Sequence, residues 1–352
     1  MWPINRGKRP RLFRSAFAVF AAVAFAVSGC GDDKDGGEAA NAIVATYKEG
    51  GKVTRAEYDK FVGTLTFFQP LYAQFETDPA FQEQMIKQMV AFRLLGEQAD
   101  EQSKKEADEK TKEQIDQLTA YFAQFGTKDT LKQQLQQANL TTEDLEQYIR
   151  QSLIVLGDAE KKVKEEDMKA KYDENLKNSM YDIATVSHIL ISLTDDSGKE
   201  VRTKEQALAR ANEVKQKLDA GGDFAALAKE YSDDPGSKDN GGKYENEMIN
   251  NWVEGFKNAA KELPLNTISD PVETEFGYHV MKVESRSTLT YDEVKEELKA
   301  ELAESRVMDF IENELPNYLE NIDTSKLPQA SASPEVPAPE TSAGGAGGQP
   351  AQ

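Results

Sequence analysis

The stretch EFGYHVMKV, residues 275–283, places a histidine at the start of an apolar run. A second stretch of the same kind, TVSHILI, occupies residues 185–191. β-Branched and aromatic residues favour strands, so both stretches are predicted strands. Their histidines, His279 and His188, are the only two in a chain of 352 residues. From the residues alone, such a pair is either a hydrogen-bonded pair in the core or part of a functional site.

The chain around these two strands, residues 181–286, alternates between helix and strand patterns. The loop DDPGSKDNGG at 233–242 separates two groups of elements. Helix patterns occur at TKEQALARANEVKQKLDAGG (203–222), DFAALAKEYS (223–232) and NNWVEGFKNAAKEL (250–263), and a turn and strand at LNTISDPVET (265–274). Interleaved helices and strands over roughly a hundred residues predict one α+β domain of ordinary size.

The preceding region, residues 41–178, has a mostly helical pattern. AIVATYKEGGKV at 42–53 predicts a small hairpin with a Gly-Gly turn. Thr54 and Glu57 then form a capping box that starts the first helix. Stripes of Met and Phe at helical spacing indicate core packing. The alternative is a surface for varied apolar partners, because thioethers repack easily, and it involves Met85, Met89, Phe67 and Phe68.

A long helical pattern follows the α+β segment and covers residues 288–325. A single helix with an apolar face is not expected to stand alone, so we expect it to pack back on the region 41–178. The α+β domain is then an insertion between helical parts of the chain. An independent C-terminal hairpin is the alternative.

The first thirty residues have the pattern of a secretory signal. Basic residues precede the twelve-residue apolar run AFAVFAAVAFAV, which is too short to span a bilayer. The following VSGC, residues 27–30, resembles a bacterial lipobox, which implies cleavage before Cys30 and lipid attachment to it.

Cys30 is the only cysteine, so an internal disulfide is excluded. Polar residues after Cys30 predict a tether, and the Pro-, Ala-, Ser- and Gly-rich end predicts a disordered tail.

The net charge is −20, from 42 basic and 62 acidic residues. Binding of nucleic acid relies on Lys and Arg, so this charge argues against it. It also argues against electrostatic adhesion to anionic lipid. Two histidines and scattered acids without a close ligand motif predict no metal site, and no cofactor motif is present.

In order and spacing, the segment 181–286 resembles a parvulin-type peptidyl-prolyl isomerase domain. The residues that carry the resemblance are VSHILI, GGDFAALAKEYSDDPGS, NGG, WVEGFKNAA and ISDPVETEFGYHVMKV. With its signal, lipobox and helical flanks, the whole chain resembles the PrsA-type extracytoplasmic foldase lipoproteins. The resemblance implies an antiparallel sheet with surrounding helices, inserted between segments of a mostly helical, chaperone-like domain.

The resemblance also implies a site. His188 and His279 match the two neighbouring strand histidines of the family, Asp234 matches the adjacent Cys or Asp, and Thr274 matches the Thr that bonds to a histidine. For Asp234 a plain turn role before Pro235 stays open. The proline pocket is implied at Phe256, Trp252 and Tyr244, and Phe276 is assigned to substrate binding as well. Plain helix core is the alternative for Trp252 and Phe256.

The implied function is cis–trans isomerisation of X–Pro bonds by a lipid-anchored foldase on the extracellular face of a Gram-positive type membrane. Its partners would be unfolded or newly secreted proteins, with a homodimer as one allowed assembly. The chain reads GKYE where many parvulins read GDLG, so a non-catalytic chaperone with a vestigial isomerase is the first alternative. A solute-binding lipoprotein is the second, although only one short α/β segment is present.

The predicted organisation has six parts. They are the signal peptide 1–29, the tether 30–40, the N-terminal helical chaperone-like region 41–178, the isomerase domain 181–286, the C-terminal helix 288–325 and the disordered tail 326–352.

Overall fold

The computed structural model describes residues 39–329. These residues form two units, one of residues 160–304 and one of residues 39–159 together with 305–329. The first unit therefore interrupts the sequence of the second, and the predicted insertion of an α+β domain into a helical one is confirmed. Lipidation of Cys30, the signal peptide and the tail beyond residue 329 lie outside the described residues.

The second unit combines helices with a small sheet. Its strands are β1 (Ile43–Tyr47), β2 (Gly51–Thr54) and β7 (Leu319–Ile322), in the antiparallel order β2-β1-β7. The predicted hairpin is thus confirmed. The strand β7 corrects the helix predicted over residues 288–325, because it pairs with β1 inside that range. The helices are α1 (Arg55–Phe68), α2 (Pro79–Gln98), α3 (Glu101–Ala123), α4 (Thr130–Gln137) and α5 (Thr142–Lys161).

Local signals account for where the helices of the second unit begin. The Thr54 hydroxyl accepts from the backbone N–H of Glu57, and the Glu57 carboxylate accepts from the N–H of Thr54, which confirms the capping box. The Asp78 carboxylate caps α2 by accepting from the backbone N–H groups of Ala80 and Phe81, and Pro79 occupies the first helical position. Met85 and Met89 lie in the core with Ile86, so the core interpretation of these methionines holds.

The C-terminal stretch divides between the two units. Val294 and Leu298 pack in the first unit against Met168 and Tyr181. Beyond residue 304, the buried side chains Phe310, Leu315 and Leu327 belong to the core of the second unit, which also contains Val44.

The first unit is built on a four-stranded antiparallel sheet of order β4-β3-β6-β5. Its strands are β3 (Asp182–Ser192), β4 (Lys243–Met248), β5 (Val272–Thr274) and β6 (Gly277–Thr288). The helices are α6 (Glu165–Lys177), α7 (Lys204–Asp219), α8 (Phe224–Tyr231), α9 (Glu254–Glu262) and α10 (Tyr291–Asp309), which continues to the unit boundary and beyond. Helices α7 and α8 cover one face of the sheet, and α9 covers the other, where Phe256 packs on Met281.

Two sequence-based expectations for this unit were wrong. The helix predicted from Asn250 begins at Glu254, and Trp252 lies before it, after a single helical turn at Ile249–Asn251. The strand β4 was missed, because KYENEM lacks the apolar alternation of a strand with one buried face. Within residues 39–329, we find no helix that combines the length and hydropathy needed to cross a membrane.

Candidate active site

The two histidines meet on the face of the sheet that α9 covers. In the pairing of β3 with β6, His188 lies opposite Met281 and His279 lies opposite Leu190, so the histidines are diagonal neighbours. Their Nδ1 atoms are 3.1 Å apart, and the rings stack at 5.3 Å between centroids with 26° between planes. Both are buried, with exposed fractions of 3% and 4%.

Asp234 joins this pair from the loop that follows α8. Its Oδ2 lies 2.9 Å from Nε2 of His188, and its Oδ1 accepts from the backbone N–H of Gly236 at 3.0 Å. The Ser237 hydroxyl donates to the same Oδ2 and lies 3.0 Å from Nε2 of His188. Sequence analysis missed Ser237. Its position three residues after Asp234 in the turn DPGS was the available signal, because such turns return a hydroxyl to the aspartate.

Thr274 closes the other end of the chain of hydrogen bonds. Its Oγ1 is 2.8 Å from Nε2 of His279 and accepts from the backbone N–H of Phe276 at 3.2 Å. The tight turn from β5 to β6 that sets this geometry depends on Gly277, whose φ is +141°. A Cβ on Gly277 would lie 2.1 Å from the carbonyl oxygen of Ile191, so only glycine fits.

Aromatic rings surround the histidines. Phe256, which is 4% exposed, stands nearly perpendicular to both imidazoles at 5.2 Å between centroids. Trp252 packs edge-on against Phe256 at 5.0 Å. Tyr244 stacks on His188 at 5.3 Å and donates its hydroxyl to Asp234 Oδ2 at 2.9 Å. Five hydrogen-bonded residues, His188, His279, Asp234, Ser237 and Thr274, thus lie beside three aromatic rings.

Phe276 differs from the other predicted site residues because its side chain is 51% exposed. It lies in the turn between Thr274 and Gly277, and its described link to the site is the backbone hydrogen bond to Thr274. The remaining seven residues named from the sequence inside residues 39–329 are connected by the contacts above. Their roles in binding and catalysis stay predictions.

The hydrogen bonds run in one direction when both histidines are neutral. An ionised carboxylate only accepts, so His188 must donate from Nε2 to Asp234. Its Nδ1 is then an acceptor, and His279 donates from Nδ1. The Nε2 of His279 in turn accepts from the Thr274 hydroxyl. These directions fix the tautomers of both imidazoles. The Thr274 hydroxyl also lies 3.4 Å from the carbonyl oxygen of Gly277, which is a longer contact than the one with Nε2 of His279.

The pKa shifts in the site agree with an ionised Asp234 and a neutral His279. Burial acts to raise the pKa of Asp234, but the hydrogen bonds from His188, Ser237 and the Gly236 N–H outweigh it and hold that pKa well below its usual range. Burial, together with the neighbouring His188, lowers the pKa of His279 to about 3. Burial and the Asp234 charge raise the pKa of Tyr244 above its ordinary value. At neutral pH the site thus holds a fixed anion, a neutral His279 and a protonated tyrosine.

The described residues contain no group of three or more His, Cys, Asp or Glu side chains arranged to hold a metal ion.

Comparison with known proteins gives the class of the two regions. Residues 174–287 match the family model of the PPIC-type PPIase domain, which is the peptidyl-prolyl isomerase class that the histidine strands indicated. Residues 4–156 match the model of the SurA-like N-terminal domain.

The relatives then identify the family. The chain is 30% identical to foldase protein PrsA 3 of Bacillus anthracis over 307 residues, covering 86% of this chain and 87% of that protein. It is 32% identical to foldase protein PrsA 4 of Bacillus cereus over 249 residues, covering 68% of this chain and 76% of that protein. The chain belongs to the PrsA foldase family, as its motifs predicted.

Solved structures of the family also align. The peptidylprolyl isomerase PrsA of Bacillus cereus matches with 26% identity over 79% of this chain and 92% of its own, with a TM-score of 0.34. The family assignment rests on the sequence matches, since a superposition at this TM-score adds no weight.

Proposed function

We propose that this protein is a lipid-anchored extracellular foldase that catalyses cis–trans isomerisation of X–Pro bonds in newly secreted chains. The observation that carries the catalytic part is the continuous network of Asp234, His188, His279 and Thr274 beside the wall of Phe256 and Trp252. Membership of a family whose relatives are named foldases supports it.

The reaction requires no covalent bond to break. The X–Pro bond isomerises over tens to hundreds of seconds because twisting the amide costs about 18–20 kcal/mol. A catalyst must therefore bind the twisted amide more tightly than either planar form. The twisted amide loses resonance, and its nitrogen gains a lone pair, so a site that excludes water and offers fixed dipoles can favour it.

Some site residues would exclude water from the amide, and the others would supply the fixed dipoles. Phe256 and Trp252 would hold the proline ring and keep water away, since the Phe256 ring is buried and Trp252 packs on its edge. The hydrogen-bonded residues would supply a rigid field below the amide. A network whose imidazole tautomers are fixed needs little reorganisation during the twist, and this pre-organisation is what makes fixed dipoles effective.

The anchor is proposed from the lipobox-like VSGC at residues 27–30. Stable attachment to a membrane requires two or more acyl chains, because a single chain binds reversibly. We expect the wild-type chain to incorporate radiolabelled palmitate in a Gram-positive host and to fractionate with membranes. Cys30→Ala should abolish both, and labelling of this variant would contradict the anchor.

A chaperone role for the second unit is favoured by its exposed apolar side chains. Leu71 is 78% exposed and Phe125 is 64% exposed, whereas most large apolar side chains of the unit are buried. Phe125 continues a row of ring contacts through Tyr121 and Phe122. Exposed apolar side chains that form a patch can bind apolar segments of other chains. Unfolded secreted chains that contain proline are the proposed partners.

Refolding of a secreted protein whose slow phase is limited by a proline separates the two roles. The isomerase shortens the slow phase, whereas the chaperone raises the yield at high client concentration. We expect Phe256→Leu to slow the catalysed phase without changing the yield, and the pair Leu71→Ser with Phe125→Ser to lower the yield alone. An increase in yield with no change in rate from wild type would support a pure chaperone and contradict the isomerase.

A further inference from the structure

The Tyr244 hydroxyl is engaged inside the protein. It donates to Asp234 Oδ2 at 2.9 Å, and the same oxygen accepts from His188 at 2.9 Å and from the Ser237 hydroxyl. A carboxylate offers about two lone-pair sites on each oxygen, so three donors leave Oδ2 no acceptor capacity for a substrate. The Tyr244 hydroxyl likewise has no second proton to donate.

Tyr244 contacts two consecutive members of the network from one position on the sheet. Tyr244 lies in β4 and pairs with Val186 in β3, two residues before His188. From there its ring stacks on the His188 imidazole at 24° between planes, while its hydroxyl reaches past that ring to Asp234. A leucine at this position would supply apolar contact alone, without a donor.

The adjacent loop leaves room for this contact. A Cβ on Gly236 would lie 2.9 Å from the Tyr244 hydroxyl and 3.3 Å from Asp234 Oδ1. The first distance is shorter than real Cβ contacts, so a side chain at this position would displace the hydroxyl. The backbone N–H of Gly236 meanwhile donates to Oδ1 at 3.0 Å and holds the other side of the carboxylate.

We propose that Tyr244 is a positioning residue: its hydroxyl fixes the Asp234 carboxylate and its ring fixes the His188 imidazole, so it acts on the reaction through Asp234. This assignment revises its predicted role as a plain wall of the proline pocket. The effect on turnover rests on the proposed isomerase function, whereas the coupling of Tyr244 to His188 does not.

The first arm of the test is kinetic and uses the chain 31–352. Tyr244→Phe keeps the ring and removes the hydroxyl, so we expect kcat to fall about ten-fold, the order that a hydrogen bond to a charged group supplies, with KM unchanged. In the Asp234→Asn background the same change should have little further effect. Tyr231→Phe is the matched control, because that hydroxyl also bonds a carboxylate, Glu213, but outside the site. Wild-type kcat in Tyr244→Phe, or an equal fall in both backgrounds, would overturn the proposal.

The second arm does not depend on activity. The chain has only two histidines, so a ¹⁵N-imidazole spectrum contains four nitrogen signals. We expect the His188 Nε2 signal to shift in Tyr244→Phe and in Gly236→Ala, which crowds the hydroxyl, and to stay in place in Tyr231→Phe. If the wild type fails to isomerise peptides but the signal shifts, the coupling stands and the proposed function falls. A signal that does not move in either site variant overturns the positioning role, whatever the activity.

Discussion

The Nδ1 atoms of His188 and His279 lie 3.1 Å apart, so one proton at most can lie between them. That proton belongs to His279 when both rings are neutral, because His188 must donate its own proton from Nε2 to Asp234. The carboxylate of Asp234 therefore sets the tautomers of both histidines, and the resulting acceptor at Nε2 of His279 orients the Thr274 hydroxyl. Changes at either end of the chain of donors are expected to alter both histidines.

Replacement of Asp234 by asparagine tests the anion at one end of this chain. Asn keeps the shape of the side chain and loses the charge, which the donors His188, Ser237 and Tyr244 all face. Hydrogen bonds to a charged group contribute about 1.5–3 kcal/mol and neutral ones about 1 kcal/mol. We expect kcat/KM for an X–Pro peptide to fall at least about ten-fold.

A matched control for that prediction is Asp195→Asn. This carboxylate also accepts hydrogen bonds within a turn of the same unit, from the hydroxyl of Ser197 and the backbone of Lys199, and lies outside the network. Its kcat/KM should equal that of the wild type. Full activity in Asp234→Asn would show that the charge has no part in the reaction.

Thr274→Val tests the other end of the network. Valine has nearly the same shape and favours strands, but it cannot donate to Nε2 of His279. The ¹⁵N signals of His279 should change, and kcat should fall while KM is retained. Thr288→Val is the control, because Thr288 is exposed at the far end of β6 and its hydroxyl bonds Asp182, away from the site. Unchanged His279 signals in Thr274→Val would contradict the described direction of the hydrogen bonds.

The pKa of His279 makes the stability of the first unit depend on pH. Burial and His188 lower this pKa to about 3 in the folded chain, against about 6.5 when unfolded. Between these values the unfolded chain binds a proton that the folded chain does not, so the free energy of unfolding falls as the pH is lowered from 6.5. The loss is about 2 kcal/mol at pH 5.

The ionisation of Asp234 contributes no such pH dependence to the free energy of unfolding between pH 6.5 and 4.5. Its folded pKa is held low, so the stability it contributes is complete above the pKa of an unfolded aspartate, about 3.9, and is lost only below it. Denaturant unfolding of the chain 31–352, followed by fluorescence of Trp252, should show the predicted slope from pH 6.5 to 4.5. His279→Asn should lose most of this dependence of the free energy of unfolding on pH. An identical dependence in the variant would contradict the lowered pKa of His279.

Gly277 is predicted to be the least replaceable glycine near the site. Alanine there would combine a φ of +141° with a Cβ 2.1 Å from a backbone carbonyl oxygen, so the strand pair itself must shift. We expect Gly277→Ala to lower the free energy of unfolding by about 3 kcal/mol or more. Gly198→Ala, with a φ of +81° and open space around the Cβ, should cost only about 1 kcal/mol. Equal losses in the two variants would contradict the described turn.

The strands that carry the histidines were predictable from sequence because they are long, apolar and rich in β-branched residues. The family resemblance named seven residues that the structure connects by contacts, from Asp234 to Trp252. The strand β4 was not predictable, because its sequence KYENEM is polar and its place at the sheet edge is set by pairing with β3. Ser237 was missed although the turn DPGS offered a signal, because its contact with His188 is formed only in the folded turn.

The chemistry of Tyr244 was also beyond sequence analysis. The family resemblance placed it where many parvulins have the leucine of GDLG and implied a wall of the proline pocket. The hydroxyl reaches Asp234 only because β4 is paired with β3 and because residue 236 has no side chain. Trp252 was expected inside a helix, and its position just before α9 follows from the turn at Ile249–Asn251. In each case the position of the side chain depends on tertiary contacts, which the local sequence pattern does not specify.

The most direct test of the central claim is the exchange between cis and trans signals of short X–Pro peptides, measured by NMR with the residue X varied. We predict that the chain 31–352 accelerates exchange for at least some X and that Asp234→Asn and Phe256→Leu, each shown to be folded, accelerate it much less. No acceleration for any X by a folded wild-type protein that still suppresses aggregation of an unfolded client would contradict the claim and leave a chaperone without isomerase activity.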